Sequence, residues 1–137
     1  MHGRVIGVAC IFMFALVIGA ALAPASACPI RHGASLVLVS QELDPDVFLW
    51  DSADRLVHYA EGDYEVATVL HHTTLIRAFT RAVALACRKS VIQPSGAEAA
   101  EGASTIFLIG VRIAAGTSRG RVGWVISSDT RWPPGQH

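Results

Sequence analysis

Two runs of alternating side chains near the carboxyl end constrain the fold of this chain more than any other feature. Between Thr105 and Ala114, the residues Phe107, Ile109, Val111 and Ile113 occupy every second position, and Val122, Trp124 and Ile126 do so between Arg121 and Ser127. A period of two places such residues on one face of an extended strand, because successive side chains point to opposite sides. Gly116-Thr117-Ser118-Arg119-Gly120 separates the runs, and glycine supplies the positive φ that a tight reversal needs. The segment therefore predicts a β-hairpin with one apolar face. An isolated hairpin is at best marginally stable in water, so the rest of the chain must cover that face.

The upstream sequence predicts further strands. Leu36-Val37-Leu38-Val39 is apolar and β-branched, Asp44-Pro45-Asp46 is a turn, and Val47-Phe48-Leu49-Trp50 follows as a second strand. Thr74-Leu75-Ile76 and Arg81 to Cys87 flank a turn at Ala78-Phe79-Thr80, with Ala82, Ala84 and Ala86 alternating against Val83, Leu85 and Cys87. Residues 51–72 break the pattern. Asp51-Ser52-Ala53-Asp54 offers capping side chains, Leu56, Val57 and Tyr59 form an apolar face and Gly62 is a stop, which predicts a short helix over 53–60 or an irregular loop. Asp63 is positioned to cap a second short helix from Tyr64 to about Leu70. Residues 93–104, rich in Ser, Gly, Ala and Glu, read as a flexible loop, and Trp132-Pro133-Pro134-Gly135 as a tail that cannot stay helical.

The amino terminus has a different character. A short start containing Arg4 precedes an uncharged run from Val5 to Ala23, and Pro24 then breaks it before Ala25-Ser26-Ala27-Cys28. This is the pattern of a secretory signal helix with a small-residue cleavage site, so residues 1–27 are expected to be removed at export and 28–137 to form one domain. The run of 19 residues is also long enough to span a bilayer, which keeps a retained membrane anchor open. A third reading is lipidation of Cys28, although Ala25 stands where bacterial lipoprotein signals usually carry Leu. Of the three cysteines, Cys10 lies in the run and Cys28 and Cys87 remain. A pair of cysteines in an oxidising compartment is expected to form a disulfide, which would exclude lipidation of Cys28.

Charge narrows the partners. Without Arg4, ten Lys and Arg of the original eleven stand against eleven Asp and Glu. Such a balance, with no interleaved aromatics, gives no footprint for nucleic acid. The charges are segregated: Glu42, Asp44, Asp46, Asp51, Asp54, Glu61, Asp63 and Glu65 share their stretch with only Arg55, whereas Arg77, Arg81, Arg88, Lys89, Arg112, Arg119, Arg121 and Arg131 follow. Mutual neutralisation on folding is the expectation, with an acidic partner face or a basic hairpin gripping an anionic polymer as the functional alternatives.

Gly110-Val111-Arg112-Ile113, the turn, Gly120-Arg121-Val122-Gly123-Trp124-Val125 and Ser127-Ser128-Asp129 together resemble the last hairpin of bacterial Src-homology-3-like (SH3-like) domains. In those domains a Gly-Trp-Val strand leads into a short helical turn and a final strand. Thr74 to Leu85 is similar to the preceding strand pair, with Phe79 where the family normally has Gly, and Asp46 to Trp50 to the opening strand. The resemblance covers about residues 46–132 and implies a small, partly open SH3-like β-barrel with residues 51–72 as a helical insertion. It also implies a non-catalytic targeting module in the bacterial envelope, binding peptidoglycan or a protein. The hairpin resembles the RNA-binding KOW motif as well, which export and charge disfavour.

On that reading Trp50 and Tyr59 stack on a ligand, with Trp124 as a further aromatic candidate shared with the core, while Arg119 and Arg121 engage carboxylates. No cofactor or metal is expected: His71-His72 are adjacent, and His32 and His58 lack ligand spacing. Ser127, Ser128 and Asp129 lack a nucleophile elbow and read as a turn cap. The alternatives are a small hydrolase using Cys87 or the histidines, and a structural periplasmic protein whose 51–72 segment meets a partner. Membrane association is expected only with a retained signal or a lipidated Cys28.

Overall fold

The computed structural model describes residues 28–96, 100 and 102–132. The expected signal helix, the tail from Pro133 and residues 97–99 and 101 of the 93–104 loop lie outside the described residues. No helix among the described residues is long and apolar enough to cross a membrane.

The fold is mainly β. Strands β1 (Ser35–Leu38), β2 (Asp46–Trp50), β3 (Thr73–Arg77), β4 (Arg81–Ile92), β5 (Ser104–Ile113), β6 (Val122–Ile126) and β7 (Thr130–Arg131) form one antiparallel sheet in the order β3-β2-β6-β5-β4-β1-β7, curled into a half-barrel. Helices α1 (Ala53–Ala60) and α2 (Val66–His72) are inserted between the neighbours β2 and β3, and a single 3-10 turn (Ser127–Asp129) separates β6 from β7. β1 pairs with both β4 and β7, so residues 35–38 belong to the sheet.

The predicted hairpin is β5–β6, the centre of the sheet. Ile109, Val111 and Ile113 join Leu36, Leu38, Ala82, Ala84 and Val125 in the main core, with Phe107 packed against it. Leu108, on the other face of β5, is buried with Trp50, Ala53, Leu56 and Val69, against which Ile106 and Trp124 pack. Each such side chain contributes roughly 1.5–3 kcal/mol of transfer free energy, so a strand covered on both faces anchors the domain. In β6 the deepest positions are Gly123 and Val125; Trp124 is half-buried and Val122 exposed, so the face predicted from Val122, Trp124 and Ile126 is only partly covered. Gly123 stands where β2 comes closest. A Cβ there would lie 2.5 Å from Leu49 Cγ and 2.6 Å from the Trp50 carbonyl oxygen, and backbone cannot yield as a side chain can.

The predicted alternation along β4 breaks. Ala82 and Ala84 are core residues, but a bulge between Ala84 and Ala86 shifts the register against β5, after which Cys87 pairs with Ile109. One extra residue turns every later side chain over. Ala86 therefore becomes exposed, while Cys87 packs against the main core and is bonded to Cys28 with their Cα atoms 6.1 Å apart. β4 also runs on to Ile92, past the predicted end at Cys87.

Helix α1 has the predicted bounds and α2 does not. Gly62, at φ 78°, ends α1: its N–H donates to the Tyr59 carbonyl at 3.0 Å, and the Asp63 N–H to the His58 carbonyl at 3.0 Å. These two bonds form a Schellman motif, which satisfies carbonyls the helix leaves free. The Asp63 backbone thus closes α1, and its carboxylate lies 3.8 Å from His58 Nδ1, on the α1 side. Glu65, with extended backbone, takes the N-cap position, and α2 begins at Val66.

Candidate functional site

The site is a cavity of about 550 Å³ between α1, the open end of β2–β3, the 40–46 loop and the 3-10 turn. Its apolar surface is built by strand periodicity. Phe48 and Trp50 project from one face of β2, and Leu75 lies opposite Phe48 on β3. α1 adds Leu56 and Tyr59, which helical spacing puts on the side facing the sheet. The rings form a cluster: Tyr59 lies 5.0 Å from Trp50, 6.3 Å from Phe48 with an edge-on geometry, and 4.5 Å from Tyr64.

The rim is acidic. Glu42, Asp44, Asp46 and Asp129 all line the cavity. Asp46 has Arg77 at 3.8 Å, whereas Glu42, Asp44 and Asp129 make no ion pair among the described residues. Burial first, and then the neighbouring charge of Glu42, push the Asp129 carboxyl up to about 6. The Tyr59 hydroxyl is likewise raised, by burial first and then by Tyr64, Glu42, Asp129 and Asp44. The walls are tied together: the Gln41 side chain donates to the Ser128 carbonyl, joining the loop to the 3-10 turn. Ser95 donates its hydroxyl to the Glu61 carbonyl at 2.7 Å and the Gln93 N–H donates to the Glu61 carboxylate at 3.1 Å, tying the end of α1 to the segment that follows β4.

Asp129 gives a pH signature. Its folded-state value lies above the ordinary carboxylate value of 3.8, so it favours the folded state below that pH and loses the contribution as pH rises towards 6. Asp51 acts oppositely. Burial raises it, but hydrogen bonds from His72 (2.7 Å) and Arg55 (3.1 Å) and their charges lower it on balance, so its contribution is lost only below 3.8. The urea midpoint is therefore expected to fall between pH 4.5 and 6.5, and Asp129→Asn to flatten that slope. An unchanged slope in the variant would place the titration elsewhere.

Several expected site residues are brought together and others are not. Trp50 and Tyr59 share the cavity, but Trp50 is only 2% exposed. β2 is paired on both sides and covered by α1, so Trp50 supplies floor and cannot present an open ring face. Trp124 lies opposite Trp50 and over Gly110, outside the cavity lining. Arg119 and Arg121 sit at the β5–β6 turn, also outside it, and Arg121 donates to the Thr74 hydroxyl at 3.1 Å. Sequence reasoning missed Phe48, Leu75 and the acidic rim. The acidic run was visible as a charge block, but its convergence with Asp129 depends on the 3-10 turn folding back beside the 40–46 loop.

Neutralisation between the two halves of the chain is partial: Asp54–Arg88 at 2.7 Å and Asp46–Arg77 join them, while Asp51–Arg55 is local to α1. His72 and Asp51 form a hydrogen-bonded pair with no nucleophile hydrogen-bonded to the imidazole among the described residues, and Cys87 in a disulfide carries no thiolate. The chain is thus a β half-barrel with an aromatic cavity and an acidic rim. No family model, curated protein or solved structure matches it.

Proposed function

We propose that this chain is an exported, non-catalytic binding module of the bacterial envelope that holds a cationic group of its ligand in the aromatic cavity. The supporting observation is the pairing of Phe48, Tyr59 and the Trp50 floor with three carboxylates that make no ion pair among the described residues. An ammonium or guanidinium group fits both features, because ring faces attract cations and the carboxylates supply charge-assisted hydrogen-bond acceptors. On this reading the half-barrel is an SH3-like domain, residues 1–27 are its export signal, and peptidoglycan, whose stem peptides carry amino groups, is the ligand. The disulfide is compatible with an oxidising compartment. On this reading Arg119 and Arg121, which are not in the cavity lining, are not called on for the ligand contact.

Co-sedimentation with isolated sacculi tests the proposal. Saturable binding that survives moderate salt is expected. Glu42→Gln with Asp44→Asn, both at exposed positions, should weaken it by roughly tenfold. Acetylating the amines of the sacculi should abolish it. Binding indifferent to both treatments would reject the cationic ligand, and no binding to sacculi would redirect the search to a protein.

A further inference from the structure

The end of the sheet around Leu38 carries a second feature, which shares Glu42 and Asp44 with the cavity rim. Leu43 is 94% exposed and Phe79 is 75% exposed, and both have positive φ, 61° and 67°. Bulky non-glycine residues avoid this region, which makes the two turns candidates for a contact surface. They belong to adjoining turns: the Ala78 N–H donates to the Pro45 carbonyl at 2.8 Å and the Phe79 N–H to the Leu38 carbonyl at 2.7 Å. Glu42 and Asp44 flank Leu43, giving an acid-apolar-acid loop.

Beside it lies the opposite pattern. Val37 is directly opposite Arg81 on β4 and Arg131 on β7, so the three share one face of the sheet. Leu36, Leu38 and Ala82 turn into the core, which leaves the Arg131-Val37-Arg81 row on the outer face with both arginines exposed. Neither arginine makes an ion pair among the described residues. They are two strand spacings apart, about 9–10 Å, so each guanidinium group can meet a separate carboxylate.

We infer that this end of the molecule is the interface of a two-fold homodimer, in which the Glu42-Leu43-Asp44 loop of each copy docks on the Arg131-Val37-Arg81 row of the other. Acidic and basic halves lie side by side on one copy, and a two-fold axis then satisfies both at once. Leu43 packs on Val37 and on the aliphatic stems of the arginines, and Phe79 packs at the axis. The occupant follows from charge: a second copy carries the complement of each half, whereas an acidic or a basic partner would meet like charge on one of them.

Charge exchange tests it on the full chain, with mass measured by light scattering across micromolar to sub-millimolar concentration. Wild type should show a monomer–dimer equilibrium that weakens at high salt. Glu42→Arg with Asp44→Arg, and separately Arg81→Glu with Arg131→Glu, should each weaken dimerisation by roughly tenfold or more. Their equimolar mixture should restore a dimer containing one of each, because every contact is again between opposite charges. Thermal melts of the separate variants establish that each is folded, and Leu43→Ser supplies a variant without charge change that should weaken the dimer alone. A monomeric wild type, a dimer that survives both exchanges, a mixture that stays monomeric, or open-ended assemblies would each overturn the two-fold interface.

Discussion

Replacing Trp50 by alanine should cost about 3–5 kcal/mol, the range for removing a buried tryptophan or phenylalanine, and is expected to be the most damaging single change of an aromatic in this chain. Trp50 is 2% exposed and packs in one cluster with Leu56, Val69 and Leu108, with Tyr59 at 5.0 Å and Trp124 directly across on β6. Its removal would leave a void between α1 and the sheet that none of these neighbours can fill without leaving its own strand or helix. A domain of this size has roughly 5–15 kcal/mol in total, so the variant should lose about 15 °C in melting temperature and move markedly in urea. Tyr59→Ala, at a half-exposed position, should lose less. Any loss of ligand binding in Trp50→Ala therefore has to be read beside its stability. A melt within a few degrees of wild type would show that α1 does not seal this cluster.

Breaking the Cys28–Cys87 bond should lower stability by about 4 kcal/mol in the chain-entropy model, because the bond closes a loop with a sequence separation of 59. The bond fastens the segment ahead of β1 to the middle of β4, next to the bulge. β1 is only four residues long and pairs with the two-residue β7 on its outer side, so this edge gains most from the tether. Denaturation with and without reductant, and of the Cys28→Ser, Cys87→Ser double variant, should give the same lowered midpoint. The intact mass should rise by two hydrogens on reduction. A mass showing an attached lipid, or a midpoint indifferent to reductant, would contradict the pairing.

Alternation alone specified the β5–β6 hairpin and the β nature of the fold, since period-two patterning and glycine placement act through neighbours in sequence. Helix α1 was legible for the same reason, since Leu56 and Gly62 lie within one short stretch, although the expected side-chain cap does not form at Ser52. The candidate cavity was legible only in part. Tyr59 and Trp50 were identifiable as large aromatics beside an acidic run, but whether a tryptophan on a strand is floor or open surface depends on what pairs with that strand and what covers it.

Local chemistry thus determined the strand-rich class, the short helix between β2 and β3 and the availability of two cysteines. Tertiary structure decided the rest. The bulge near Ala84 reversed the faces of β4 and turned Cys87 to the core, because the cost of burying wrong side chains is set by β5 rather than by β4 itself. Asp63 went to the end of α1, where its N–H donates to the His58 carbonyl and its carboxylate faces the His58 ring, and α2 starts two residues later than the local pattern indicates. The acidic rim formed because the 40–46 loop and the 3-10 turn, more than 80 positions apart, are tied together through Gln41 and Ser128. Contacts of that separation carry no period in the sequence, and only the packed sheet brings them within reach.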